Sequence, residues 1–256
     1  MLNKDTNFFT RQNAFTLAEV LITIGLIGVV AAMTIASVID RSRKLQFISS
    51  FKKNLSVLNQ AAQYSEANYD FNFATVSSNC TKPSTEKAPG VQSLCGMFNS
   101  ALKSTVIKDY TKLKLPNKKL YYKQLFETTP NDTVVKEQHV QLYYVQMIDG
   151  SFFAFHAPMV GSRDDVKCTL RGRTLNEALK TPSFQKYCIG IIDVNGLKPP
   201  NKEIRCHDGK AHTTDIDAHC IVDNKSEYLT DVFPVAYFDS NVVPASAAAR
   251  AVLLLK

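Results

Sequence analysis

A single acid, Glu19, stands at the N-terminal edge of a run of twenty residues, Val20 to Ile39, that carries no charge. A carboxylate bordering such a run costs on the order of a few kcal/mol if it enters hydrocarbon unpaired. It therefore demands a cationic partner, and its chemistry is ion pairing rather than catalysis. A second group of oxygen donors lies far along the chain: Asp193 and Asn195 in Asp193-Val194-Asn195-Gly196, then Asn201 after Pro199-Pro200, and Asp231. Donors of this kind suit calcium, a hard ion that takes six to eight oxygens. The spacing is not that of an EF-hand loop, because Leu197 and Ile204 stand where further ligands belong. The plainer reading is an Asx turn leaving a strand, with Asn195-Gly196 supplying the bend. Calcium is the one candidate cofactor, and no metal site is firm. Cys206-His207, His212 and His219-Cys220 are dense enough for zinc but match no standard finger spacing. His139, His156, Asp149 and Ser151 are the residue types of a hydrolase, yet neither G-x-S-x-G nor H-E-x-x-H occurs. The expectation is a protein that is not an enzyme.

All six cysteines follow the uncharged run: Cys80, Cys95, Cys168, Cys188, Cys206 and Cys220. An even number confined to one side points to disulfides in an oxidising compartment. Six cysteines allow fifteen connectivities. Pairing sequence neighbours, 80 with 95, 168 with 188 and 206 with 220, is the simplest. A Cys206–Cys220 bridge would compete directly with zinc.

The elements that position these residues follow from periodicity. The uncharged run is long enough to cross a bilayer as one helix. Beyond Asp40, the residues Leu45, Ile48, Phe51, Leu55, Leu58 and Ala62 recur at steps of three and four, one apolar stripe, with Lys44, Lys52, Lys53, Gln60 and Gln63 off it. One helix is expected from about Phe15 to near Asn68, its outer half packed beneath a sheet. Residues 70–95 read as irregular. Short helical patterns fall at Met97–Leu102 and at Leu120–Phe126, separated by Pro116. Gln141–Ile148 and Ser151–Phe155 flank Asp149-Gly150, a strong hairpin signal. Thr174 to Glu177 forms a capping box that opens a short helix before Pro182. Tyr187–Val194 and Val232–Phe238 are further strands, and Pro234 marks an edge or a bulge. The tail, Ala245–Lys256, is apolar but too short to span a membrane. It reads as a short helix or edge strand packed on the head, or as a contact with a neighbouring subunit. A long helix followed by antiparallel strands is an α+β arrangement. The formal charge of +7 is spread over many short segments, as on a solvated surface, so nucleic acid is an unlikely partner.

The stretch Ala14-Phe15-Thr16-Leu17-Ala18-Glu19 with its apolar helix resembles the cleavage and methylation motif shared by type IV pilins and type II secretion pseudopilins. The loop at Asp193–Asn201 with Asp231-Val232-Phe233 is similar to a C-terminal signature of such proteins, and some secretion pseudopilins hold calcium in C-terminal loops. The resemblance implies cleavage before Phe15 by a prepilin peptidase and N-methylation of the new Phe15 amine. It makes Glu19 the acid that pairs with that amine, within one subunit or between neighbours, during filament assembly. Ala14 stands where the family usually has Gly, which implies slower or variant processing. The domains expected are a leader over 1–14, a transmembrane helix over 15–39, its amphipathic extension over 40–68, and a disulfide-containing head over 69–256.

The partners implied are other pilin or pseudopilin subunits, the prepilin peptidase, an inner-membrane assembly platform and membrane lipid. The location implied is a single-pass inner-membrane protein with its head on the periplasmic side. Arg41, Arg43 and Lys44 after the run, against Lys4 and Arg11 before it, argue for the opposite orientation by the positive-inside rule. The cysteines and the motif outweigh them. An ordinary secretory signal has an apolar core of about 7–15 residues, shorter than this run. The function expected is a structural subunit, pseudopilin or minor pilin. The alternatives are a filament-displayed adhesin or DNA-binding pilin, and a membrane-anchored periplasmic protein that never polymerises.

Overall fold

The computed structural model describes residues 15–102, 106–109, 141–157, 167–196, 198–222 and 227–255. The expected leader 1–14 with Ala14, the helical pattern at Leu120–Phe126, Pro116, His139 and Leu197 lie outside these residues. The chain divides into two compact units, Met1–Arg43 and Lys44–Lys256.

Helix α1 spans Leu17–Tyr69. Its stretch within the first unit is apolar, long enough to cross a membrane, and unburied. Leu21, Ile24, Leu26, Ile27, Val30 and Met33 are all exposed. Within the second unit α1 buries Lys44, Phe47, Ile48, Phe51, Asn54, Leu55, Leu58, Ala61, Ala62 and Ser65. Two details of the expected stripe are corrected. Lys44 is buried, whereas Leu45 is exposed. At about 100° per residue Lys44 lines up with Ala62, and Leu45 lies a quarter-turn further round. At the start of the stripe the helical angle, not hydrophobicity, decides which side chain is buried.

The second unit is built on a six-stranded antiparallel sheet in the order β1-β2-β3-β4-β5-β6, so that every strand pairs with its sequence neighbour. The strands are β1 (Val106–Asp109), β2 (Gln141–Gln146), β3 (Phe152–Ala157), β4 (Ile189–Asp193), β5 (Val232–Phe238) and β6 (Asn241–Pro244). β1 falls in a segment whose sequence showed only helical patterns. The β2–β3 hairpin turns at Asp149-Gly150. Gly150 takes a positive φ of 86° there, and Met147 and Ser151 close the turn. On β5, Phe233 stacks on Phe51 of α1 with ring centroids 4.2 Å apart. Two residues on, Val235 and then Tyr237 continue that face, the period of a strand. Tyr237 meets Phe73 and Phe153. Phe238 points the other way, towards Phe184. With both faces covered, every residue of β5 is buried. With no tryptophan in the chain, phenylalanines carry the centre: Phe98 touches Phe73, Phe153 and Phe155.

Pro234 was expected to mark an edge or a bulge, yet β5 is an interior strand. The registers explain its tolerance. The β5–β6 ladder ends at Val235↔Pro244, and the Pro234 carbonyl accepts from Ala245 N beyond that end. In an antiparallel strand a residue's N–H and C=O face the same neighbour. The missing N–H of Pro234 therefore points past the end of β6, where no ladder bond is lost.

Among the described residues four short helices accompany the sheet: α2 (Leu94–Ala101), α3 (Leu175–Leu179), α4 (Pro182–Tyr187) and α5 (Ala247–Leu254). Both hydrogen bonds of the Thr174–Glu177 capping box are present on α3. Tyr187 ends α4 instead of opening a strand, and Pro182 is the first-turn proline of that helix. The tail forms α5, capped by Ser246 and packed through Ala247, Ala248, Ala249 and Val252. The disulfides are Cys80–Cys95, Cys168–Cys188 and Cys206–Cys220.

Candidate functional site

At the N-terminal end of α1, Thr16 and Glu19 form a closed local ring. Thr16 donates to Glu19 Oε2 from its backbone N at 2.8 Å and from Oγ1 at 2.9 Å, and Glu19 N donates back to Thr16 Oγ1 at 3.2 Å. This is a capping box, Thr-x-x-Glu. The Thr16-x-x-Glu19 pattern is plain in the sequence and gives Glu19 a partner besides the amine. Phe15 is 84% exposed beside it, and Ala14 lies outside the described residues. Glu19 therefore has a local partner, a threonine at the helix start.

The four oxygen-donor residues Asp193, Asn195, Asn201 and Asp231 are brought together where β4 ends and β5 begins. Asp193 and Asp231 are buried. The Asp231 carboxylate accepts from Asn201 N at 2.8 Å and Lys202 N at 2.9 Å. Burial raises its pKa, and these backbone N–H groups offset part of that rise. Asp193 Oδ1 accepts from Asn195 N at 3.2 Å, the Asx turn expected from sequence. Asn195 Nδ2 donates to Pro199 O at 3.2 Å, while its Oδ1 is buried without a hydrogen-bond partner. Asn201 takes a left-handed φ of 47°. Gly196 has a φ of 68°, and a Cβ there would come within 2.5 Å of the Gly150 carbonyl. Only glycine lets this loop rest on the β2–β3 turn.

The remaining chemical candidates separate. Cys206 and Cys220 are joined as a disulfide, so neither offers the thiolate that zinc needs. His212 Nε2 pairs with Asp208 Oδ2 at 2.7 Å, and His207 packs on Tyr228. Ser151 Oγ donates to Asp149 Oδ1 within the hairpin turn and to Asn54 Oδ1 on α1, and Lys53 Nζ reaches Asp149 Oδ2 at 3.0 Å. These contacts hold the turn against α1. His156 sits near the other end of β3, where burial, and secondarily the charge of Lys186, lowers its pKa to about 3. Its imidazole is neutral at physiological pH. Glu86 is buried inside the Cys80–Cys95 loop and accepts from Thr81, Lys82 and Ser93. Nothing in the sequence marked it, since it lies in a polar stretch without a motif.

Residues 9–35 match the family described as the prokaryotic N-terminal methylation motif, the prepilin signature of type IV pilins and pseudopilins. The chain thus carries a pilin-type N-terminus: Glu19 and the apolar helix fall inside the matched stretch. Such a motif implies pilin subunits and a prepilin peptidase as partners in general. No curated protein and no solved structure matches the chain.

Proposed function

We propose that this chain is a structural subunit of a type II secretion or type IV pilus-like filament, a pseudopilin or minor pilin, cut before Phe15 and assembled through α1. The observation that carries this reading is Glu19 at the head of an unburied apolar helix, bonded only locally to Thr16 among the described residues. An apolar surface of that length needs lipid or other helices around it. In lipid the subunit is stored as a single-pass protein, with its disulfide-bonded unit on the oxidising side. In the filament the same surface packs against sister helices, and Glu19 exchanges its threonine for the methylated Phe15 amine of a neighbour. An acid that is costly to leave unpaired selects the register in which that amine is within reach. The assembly platform of the inner membrane supplies the site of that exchange. The role is mechanical, not catalytic.

Mass spectrometry of the protein from cells that hold a working prepilin peptidase tests the first step. The expected N-terminus is N-methyl-Phe15, and retention of Met1 through Ala14 overturns the reading. For the second step, Glu19→Ala is expected to keep the protein in the membrane while reducing cysteine crosslinks between neighbouring α1 helices at least tenfold. Unchanged crosslinks would separate the anchor from any filament.

A further inference from the structure

Beside the turn of the β2–β3 hairpin lies a cleft of about 390 Å³. It is lined by Val57 and Ala61 of α1, by Leu102 after the end of α2, and by Met147 and Ile148 before the turn. Ile148 is 82% exposed. Asn54 also lines the cleft and is only 2% exposed. Its Oδ1 accepts from Ser151 Oγ at 3.1 Å, while its Nδ2 is buried with no acceptor. Turning the amide over would strand the oxygen instead, so in either orientation the buried amide is half satisfied. A stranded polar atom in an apolar cleft calls for an occupant that brings a hydrogen-bonding group among apolar ones. Lys53 and Asp149 add one cation and one anion to the lining.

The tip of α5 has the complementary chemistry. Leu254 is 83% exposed, although Leu253 and Leu255 on either side pack against the core. The last carbonyls of a helix have no acceptor role within it, and those of Leu253 and Leu254 accept no hydrogen bond among the described residues. They form the negative end of the helix dipole, which suits Lys53. Lys256 follows in the sequence, which suits Asp149. A subunit does not fill its own cleft with this tip. Lys52 Nζ holds Leu255 O at 2.6 Å, and on α1 Lys52 points about 100° away from Lys53 at the cleft.

We infer that the tip of α5 of one copy, with Leu254 as the knob, seats in the cleft beside Asn54 of the next copy. The contact is heterologous: each copy offers a knob on one surface and a hole on another, so it propagates head to tail instead of pairing two copies symmetrically. One helix tip in such a cleft buries far less than the roughly 1,200 Å² of a stable interface. The inference therefore rests on the filament reading above, in which α1 supplies the area and the tip fixes how successive disulfide-bonded units follow one another.

The test uses the full chain in cells of its native host, with the photocrosslinker p-benzoylphenylalanine placed at Ile148. Illumination is expected to join two copies, and mass spectrometry to locate the adduct within residues 247–256 of the second copy. Two differently tagged chains are then expressed together. Leu254→Asp on the probe-bearing copy should leave the adduct between the two tags unchanged. The same change on the other copy should reduce it by about tenfold or more, and Leu254→Met there should retain it. Leu254 is exposed, so both variants should keep the unfolding temperature of the parent; if Leu254→Asp does not fold, the mapped position of the adduct alone decides. An adduct within the probe's own chain, to another segment, or to a different protein overturns the inference, as does equal sensitivity to Leu254→Asp on either copy. Absence of the adduct while neighbouring α1 helices still crosslink overturns the inference and leaves the filament reading standing. Loss of both crosslinks overturns the two together.

Discussion

Glu203 shows how much a single side chain can hide. It stands in Lys202-Glu203-Ile204-Arg205, a charged stretch in which no motif marks it. A bridge beside Val232 brings it against β5, and its Oε1 is buried without a hydrogen-bond partner. Burial pushes its pKa up to about 7, against a smaller downward pull from Arg205. The unfolded carboxyl titrates near 4.3. The folded chain therefore holds the proton more tightly, and that stabilisation is complete below about pH 4 and lost as the pH rises through 7. Glu203→Gln should then raise stability at pH 8 by about 1–3 kcal/mol, with little gain at pH 5, in urea titrations at the two values. A flat difference across the two would show that the carboxyl is not buried in solution. The opposite lesson comes from Thr16 and Glu19. Their capping box is legible as Thr-x-x-Glu, but one role already found for the acid concealed the second.

At the scale of elements, local signals carried far and pairing did not. The Asp149-Gly150 turn, the Thr174–Glu177 box and the length of α1 each rest on neighbours in sequence, and each is where the pattern put it. β1 was missed because a four-residue strand is specified by its partner β2, not by its own composition. The outer strand β6 illustrates a further contact that no periodicity announces. Asn59 on α1 donates to Val242 O at 2.7 Å and accepts from Val242 N at 2.8 Å. An asparagine side chain thus takes the place of the next strand and satisfies the backbone of an edge residue. Asn59→Ala should cost about 1–3 kcal/mol, because it strips both partners from Val242. Amide exchange should quicken at Val242 well before β3 or β4 responds. Exchange unchanged there would show that water replaces the asparagine without loss.

For the whole molecule, the α+β plan is legible in the order of helical and strand patterns, whereas the sequence offers neighbour pairing only as the simplest of fifteen connectivities, and the structure is what selects it. The gathering of Asp193, Asn195, Asn201 and Asp231 was foreseen only as a list of donors. What joins them is the β4–β5 pairing, which brings positions 193 and 232 opposite one another. The bridges close segments separated by 15, 20 and 14 residues. In chain-entropy terms each contributes about 3 kcal/mol. Replacing Cys206 and Cys220 together by alanine should lower the unfolding free energy by roughly that amount, read from the denaturant midpoint at unchanged slope. A change near zero would mean that the hydrogen bonds among 204–228 already order this loop without the sulfurs.

All three bridges being short-range has a consequence for biogenesis. A polypeptide threaded through a membrane from its N-terminus presents Cys80 and Cys95 together, then Cys168 and Cys188, then Cys206 and Cys220. Each correct partner is the closest thiol available as it emerges, and closing a short loop costs less entropy than closing a long one. If the disulfide-bonded unit is exported as proposed, oxidation proceeds pair by pair on the way, without a reshuffling isomerase and without waiting for the final helix to arrive.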